Sequence, residues 1–286
     1  MATFEVPEVD FSRYSNRQLA AIPVAVLALA LLVIVGWYFL TGTPVALGIE
    51  FTGGTELTVQ TAASQDQIRD TFDASVESVR AIPTQENTHL ITFQSTDQGS
   101  IRSQTEAAGY TIRSISSTSP SFGSGAQSVA LLGLSIAFLG MSVLVFALFR
   151  TFIPSIAVVI SAFSDIVVPV ALMNLLGIQL SLGTVAALLM LIGYSVDSDI
   201  LLNNHVLRRS GDFYESVRRA MRTGVTMTVT SLSAMSVMSV VAYAFGIDLL
   251  SSIGIILVFG LATDLMNTYM LNLSLLRWYK FEGVAR

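Results

Sequence analysis

Gly193-Tyr194-Ser195-Val196-Asp197-Ser198-Asp199 is an acidic, polar stretch set inside an apolar run that begins near Leu180. A carboxylate at the centre of a membrane-spanning helix costs about 2.5–3.5 kcal/mol on insertion scales. Asp165 and Asp264 carry the same liability in two other apolar runs. If all of these groups faced lipid as carboxylates, the cost would be on the order of 10 kcal/mol, comparable to the stability of a whole domain. They must be neutral, paired, or turned toward the bundle interior or water. A membrane protein that keeps acids at mid-depth moves something, or is driven by something that moves.

The composition agrees with a membrane protein. The chain has 286 residues, 52% hydrophobic and 12% charged, which places it among integral membrane proteins. It has no cysteine, and its only histidines are His89 and His205. Disulfides and thiolate metal sites are excluded, and a histidine zinc site is not expected. No metal, cofactor or nucleic-acid partner is expected. Runs long enough to span a bilayer lie at about 20–40, 127–149, 152–176, 180–203, 225–246 and 249–276. The first is too long for a signal-peptide core and reads as an uncleaved span. The expected organisation is a tail at 1–19, a first span at 20–40, a polar domain at 41–125, a five-helix bundle at 126–276 and a tail at 277–286.

The cations set the orientation. Arg13, Arg17, Arg150, Arg208, Arg209, Arg218, Arg219, Arg222, Arg277, Lys280 and Arg286 all fall on one side of a six-span layout. Arg69, Arg80, Arg102 and Arg113 lie in the polar insert, and the short turns at 177–179 and 246–248 have no cation. The positive-inside rule then puts both termini in the cytoplasm and 41–125 outside.

The insert reads as β-α-β-β-α-β, the order of a ferredoxin-like domain. Glu56 to Thr61 alternates, with Leu57 and Val59 on one face. Ser64 and Gln67 form a capping box, and Ile68, Phe72 and Val76 supply a helical stripe. Val79–Ile82 and His89–Phe93 form a hairpin around Thr84-Gln85-Glu86-Asn87. A second helix from about Asp97 to Ala108 stops at Gly109, and Thr111–Ser116 is the last strand. Ser116–Gly125, rich in Ser, Gly and Pro, reads as a hinge into span two. Before the first strand stands Gly48-Ile49-Glu50-Phe51-Thr52-Gly53-Gly54-Thr55-Glu56, where adjacent glycines allow a linker turn or a close backbone approach.

Within the spans, Pro169 removes the N–H that would bond the carbonyl of Asp165. A kink there leaves a free carbonyl beside a carboxylate, fit for a proton, a cation or water; the alternative is a packing kink with the acid satisfied by a neighbouring hydroxyl. Asp197 and Asp199 point roughly 200° apart on a helix. Asp197 shares a stripe with Met190, Gly193 and Asn204, and Asp199 with Ser195 and Asn203. Both face protein, or one serves a pathway and the other binds a neighbour; Asp199 is the preferred pathway residue. Gly260, Asp264, Asn267 and Leu271 share a face of span six. Thr223, Thr226, Thr230 and Ser233 share a face of span five and read as a helix-packing stripe. Asp212–Arg222 reads as a basic amphipathic helix on the inner membrane surface, contacting lipid headgroups.

The Gly48–Glu56 stretch resembles the GI(D/E)FTGG element of the SecD/SecF protein-export family, and Gly193-Tyr194-Ser195 followed by acids resembles the span-four signature of its archaeal-type SecF branch. Six spans with one large domain after the first is half of the twelve-span resistance-nodulation-division transporter plan. The resemblance covers about Ser12 to Lys280. It implies an α-helical polytopic membrane protein with one extracytoplasmic ferredoxin-like domain, without enzymatic activity. It implies a six-span SecD-type partner, a SecYE-type channel and a translocating polypeptide. It also implies coupling to an ion gradient through Asp199, Asp197, Asp165 or Asp264, with Ser198, Asn203, Asn204 and Asn267 in support. Bacterial relatives read Gly-Tyr-Ser-x-Asn-Asp; here Ser198 occupies the second acidic position, flanked by Asp197 and Asp199. Where those relatives carry an arginine in span five, this chain has Met227. The layout alone also permits a homodimeric half-transporter of lipids or hydrophobic small molecules. An intramembrane aspartyl protease lacks support, because its Gly-x-Gly-Asp signature is absent.

Overall fold

A computed structural model of the chain describes residues 10–208 and 212–283. Arg209 and Arg286, two of the orienting cations, lie outside the described residues. Helix α1 (Asn16–Thr41) starts at a capping box, in which Ser15 Oγ accepts from the Gln18 N–H and Gln18 Oε1 from the Ser15 N–H. It stops at Gly42, whose φ of 79° suits glycine.

The α+β domain follows: α2 (Ile49–Thr52), β1 (Gly54–Gln60), α3 (Gln65–Thr71), β2 (Val76–Ala81), β3 (Thr88–Phe93), α4 (Gln98–Ala107) and β4 (Thr111–Thr118). The sheet is antiparallel in the order β2-β3-β1-β4, as expected of a ferredoxin-like unit. Leu57 pairs with Ile91 on one side and Ile115 on the other. Leu57, Val59, Ile68, Phe72, Ile91, Phe93 and Ile101 form its buried core, with the Phe72 and Phe93 rings edge to face at 4.9 Å. The cap on α3 and the Gly109 stop after α4 stand as read.

Among the described residues, six helices are long and apolar enough to cross a membrane. After α1 come α5 (Pro120–Phe149), α6 (Phe152–Leu176), α7 (Leu182–Arg208) and α8 (Phe213–Phe245). The sixth is composite: α9 (Asp248–Met266), a π-helical turn (Asn267–Asn272) and α10 (Leu273–Trp278). Helix α6 is mostly interior and α7 about half so, while α1 and α5 leave most of their surface outside.

The structure corrects four readings. Helix α3 ends at Thr71, so Phe72 enters the core from the turn and Val76 opens β2. The Asp73 N–H and carboxylate both bond the Gln104 side chain (3.1 and 2.9 Å), drawing the chain toward α4. The supposed hinge is absent: β4 reaches Thr118, Ser119 caps α5 and Pro120 occupies its first turn. A Ser-Pro pair serves a helix start as well as a loop. Asp212–Arg222 is no surface helix but the beginning of α8. Its apolar side, with Phe213, Val217 and Ala220, packs on Leu202, Val206 and Leu276. Finally, Thr223, Thr226, Thr230 and Ser233 lie on an exposed face of α8. Each hydroxyl donates to the carbonyl four residues back, at 2.7–3.4 Å, rather than to another helix of this chain.

The α+β domain and the bundle are joined at two main places, and Gln179 of the α6–α7 turn donates to the Glu77 carboxylate on β2 besides. Phe51 is buried among Met173, Leu180, Leu188 and Leu191 at the end of the bundle. The Glu50 carboxylate accepts from the Leu182 N–H at the start of α7. Gly53 has a φ of 83°, and a Cβ there would meet the Pro120 ring at 2.8 Å; a Cβ on Gly54 would strike the Phe93 carbonyl. The double glycine is thus a close-packed joint between β1 and α5, not a linker turn. On the other side, the β2–β3 hairpin sits on the α8–α9 turn. Arg80 pairs with Asp248 and stacks 4.8 Å over the Tyr243 ring. Thr84 Oγ donates to the Ala244 carbonyl at 2.6 Å.

Candidate functional site: a buried carboxylate cluster

Three spans bring Asp165 (α6), Asp199 (α7) and Asp264 (α9) together. They are 1%, 0% and 2% exposed. Pro169 lies inside α6, which continues to Leu176. Asp165 accepts from Ser195 Oγ and from Asn267 Nδ2, both at 2.6 Å. Asp199 Oδ1 accepts from Asn272 Nδ2 at 2.7 Å and from Thr268 Oγ1 at 2.9 Å. Asp264 Oδ1 accepts from Ser198 Oγ at 2.7 Å and lies 3.3 Å from the same Thr268 hydroxyl. A hydroxyl has one proton, so Thr268 can serve Asp199 or Asp264 but not both.

The local folds explain the convergence. Asp165, Asp199 and Asp264 lie on the inward faces of their helices. A Cβ on Gly260 would strike the Leu191 side chain, so glycine there permits the close approach of α7 and α9. The π-helical turn begins three residues after Asp264 and directs Asn267, Thr268 and Asn272 inward, each 0% exposed. Such turns, one residue wider than an α-turn, recur at functional sites.

Every donor to the cluster is neutral. Among the described residues, the ion pairs are Arg13–Asp10, Arg80–Asp248 and Arg219–Glu215, none of them in the cluster. Several buried atoms around it have no protein hydrogen-bond partner: Asp199 Oδ2, Asn267 Oδ1, Asn272 Oδ1, and the hydroxyls of Ser161 and Ser164. Buried polar groups left in this state are costly.

The sequence candidates separate cleanly in space. Asp165, Asp199, Asp264, Ser195, Ser198 and Asn267 meet in the cluster. Asn203 is buried one turn below Asp199, and Asn204 is half-buried beside it. Asp197 is exposed on the opposite face of α7, with Met190, Gly193 and Tyr194. Gly48, Phe51, Thr52, Gly53 and Gly54 lie at the domain joint, at the other end of the bundle. Sequence reasoning missed Thr268, Asn272, Ser161 and Ser164. A signal existed for the first two: Thr268 follows Asp264 by four residues and Asn272 follows Thr268 by four, a helical repeat of polar residues in an apolar run.

Comparison with known proteins bears on the family and the fold. Residues 99–282 match the family model "Protein export membrane protein SecD/SecF, C-terminal", and residues 38–64 match the "SecD/SecF GG Motif". A protein-export membrane protein SecF of Haloferax volcanii is 66% identical over 288 residues, covering 100% of both chains. The SecF of Pyrococcus furiosus is 35% identical, covering 93% of each. The crystal structure of SecDF, a translocon-associated membrane protein from Thermus thermophilus, superposes with a TM-score of 0.71 at 20% identity; the match covers 96% of this chain and 39% of that longer one. By these matches the chain belongs to the SecF family of archaeal protein-export membrane proteins.

Proposed function

We propose that this chain assists the translocation of polypeptides across the cell membrane, drawing on an ion gradient through Asp165, Asp199 and Asp264. The observation that carries this reading is the cluster itself. Three carboxylates are met only by neutral donors, one of them (Thr268) lying between Asp199 and Asp264, in a buried site without a cation. Three such groups cannot all be ionised and dry. The cluster therefore binds at least one proton or cation, and one proton fewer or more changes how Ser198 and Thr268 bridge α7 and α9. That is a means of converting ion occupancy into helix movement. The chemistry is transport rather than catalysis.

The proposed partner is a six-span SecD-type subunit, and the pair works beside a SecYE-type channel. Asp197 supports such a partner. A carboxylate on a lipid-facing helix surface is costly, and the outward hydroxyl stripe of α8 is suited to close helix approach. In the proposed orientation both termini are cytoplasmic. Arg150, Arg218, Arg219 and Arg222 then stand at the inner surface against anionic lipid, and residues 41–125 meet the emerging polypeptide outside.

The test is export of a reporter protein from cells carrying Asp199→Asn or Asp197→Asn, with assembly followed by pull-down. Asp199→Asn should reduce export about tenfold or more with assembly intact. Asp197→Asn should act, if at all, on recovery of the six-span partner. Normal export from Asp199→Asn would remove ion coupling through α7, and recovery of only a second copy of this chain would favour a homodimeric half-transporter.

A further inference from the structure

Helices α1 and α8 wall a groove of about 610 Å³ on the outside of the bundle. Leu19 and Ile22 of α1 face Met221 and Val225 of α8 across it, and Met266 and Met270 of the sixth span form its floor. No charged residue lines it among the described residues. Both wall helices leave most of their surface outside, so the groove opens onto the hydrocarbon around the bundle. Left unfilled, its lining would forfeit packing contacts. From Ala262 to Met270 the floor is about 12 Å long, and a helix of that length and about 10 Å across occupies about 900 Å³. A partner helix can therefore lie over the mouth but cannot fill the groove; a single lipid chain is narrow enough to do so. The chemistry changes at the end that carries both termini. Arg218 and Arg222 share the α8 face of Met221 and Val225, at helical spacings, and Arg17 stands in the first turn of α1, just before Gln18 and Leu19. All three arginines are exposed. None is in an ion pair among the described residues, whereas the adjacent Arg219 is held by Glu215. An apolar slot with uncompensated cations at one end fits an amphipathic anion.

We propose that this groove binds an anionic phospholipid, with one acyl chain between α1 and α8 and the phosphate held by Arg218, Arg222 and Arg17. The volume lies within the range of about 300–1,000 Å³ usual for small-molecule sites, and the forked N–H donors of arginine suit a phosphate. The seated chain touches a working part of the bundle. Tyr269 of the π-helical turn also lines the groove, and its hydroxyl donates to the Ala220 carbonyl of α8 at 3.3 Å. The preceding residue, Thr268, donates to Asp199. A lipid chain in the groove thus packs against the back of the turn that serves the carboxylates. The inference deepens the proposed contact with anionic lipid at the inner surface and takes from that reading only the leaflet.

The test places the full chain, purified with its assembly partners, in vesicles of equal parts phosphatidylglycerol and phosphatidylcholine. A trace of one lipid or the other carries a photoreactive diazirine in its acyl chain, and labelled residues are mapped by mass spectrometry. The phosphatidylglycerol probe should label Met221–Val225 and Met266–Met270 about tenfold more than the phosphatidylcholine probe. On α5, where Leu132 and Ile136 are exposed far from these arginines, the two probes should label alike. Arg218→Gln with Arg222→Gln should erase the preference, and Arg218→Lys with Arg222→Lys should keep most of it. Ala262→Trp, which adds bulk at the groove floor, should displace both probes from the two segments and leave labelling of α5 unchanged. Equal labelling of the groove by the two probes, or a preference that survives the Gln variants, overturns the site. Labelling that appears only after the partners are stripped away shows that a partner covers the groove, and overturns it too. The measurement does not depend on export. Normal export from Asp199→Asn would remove ion coupling and leave the lipid site standing, and a groove without label would remove the lipid site and leave ion coupling standing.

Discussion

The core of the α+β domain and the interior of the helical bundle are packed by opposite logic. Leu57, Val59, Ile68, Phe72, Ile91, Phe93 and Ile101 make an apolar core. In that domain, the only buried side-chain polar atom without a partner among the described residues is His89 Nδ1. The bundle interior buries Asp165, Asp199 and Asp264 with Ser161, Ser164, Asn203, Asn267 and Asn272, several of whose polar atoms lack a partner. One region is built for stability. The other keeps polar groups where apolar side chains would be more stable, as functional sites commonly do.

Substitutions should therefore divide stability from activity differently in the two regions. The largest expected effect on stability is in the α+β domain. Phe93→Ala should cost about 3–5 kcal/mol, read as loss of the cooperative melt of a fragment spanning residues 54–118. In the bundle, Asp264→Val should leave the melting temperature of the purified protein unchanged or higher while export fails. If both variants lose stability equally, the contrast between the regions is wrong. Gly53→Val should come next. At a φ of 83° with the Pro120 ring in contact, a β-branched residue is expected to cost about 1–3 kcal/mol. The result should be a domain loosened from α5, seen as new protease cleavage near residue 119 with membrane insertion intact. The smallest effect should follow Arg80→Ala. Its pair with Asp248 is partly exposed, so about 1 kcal/mol or less is expected. It should be visible as a broader distance distribution between spin labels on the β2–β3 hairpin and the α8–α9 turn. An unbroadened distribution would show that the remaining contacts, the Thr84–Ala244 bond and the Gly53–Gly54 joint, position the domain without the ion pair.

Much of this was legible in the sequence because its signals are local. Span count follows from hydropathy, the ferredoxin-like order from alternation and the Ser64–Gln67 cap, and the opposed faces of Asp197 and Asp199 from the helical repeat. The failures share a cause, namely contacts made between distant segments. The amphipathic Asp212–Arg222 stretch looks membrane-bound until Leu202 and Leu276 supply its apolar partner. Ser119-Pro120 looks like a hinge until β4 runs into it. The π-helical turn at Asn267–Asn272 has no sequence signature, so although the spacing of Asp264, Thr268 and Asn272 put them on one face, their meeting with Asp199 emerged only from the fold. The short distance between Arg80 and Asp248 could not be read from residues so far apart in the chain.

The most direct test of the carboxylate cluster is export measured with the ion gradient intact and then collapsed. It should be done in cells carrying the assembled wild-type chain or the triple variant Asp165→Asn, Asp199→Asn, Asp264→Asn. The wild type should slow several-fold when the gradient is collapsed. The triple variant should already be slow and should not respond. A triple variant that exports at the wild-type rate and slows to the same degree on collapse would contradict ion coupling through these residues.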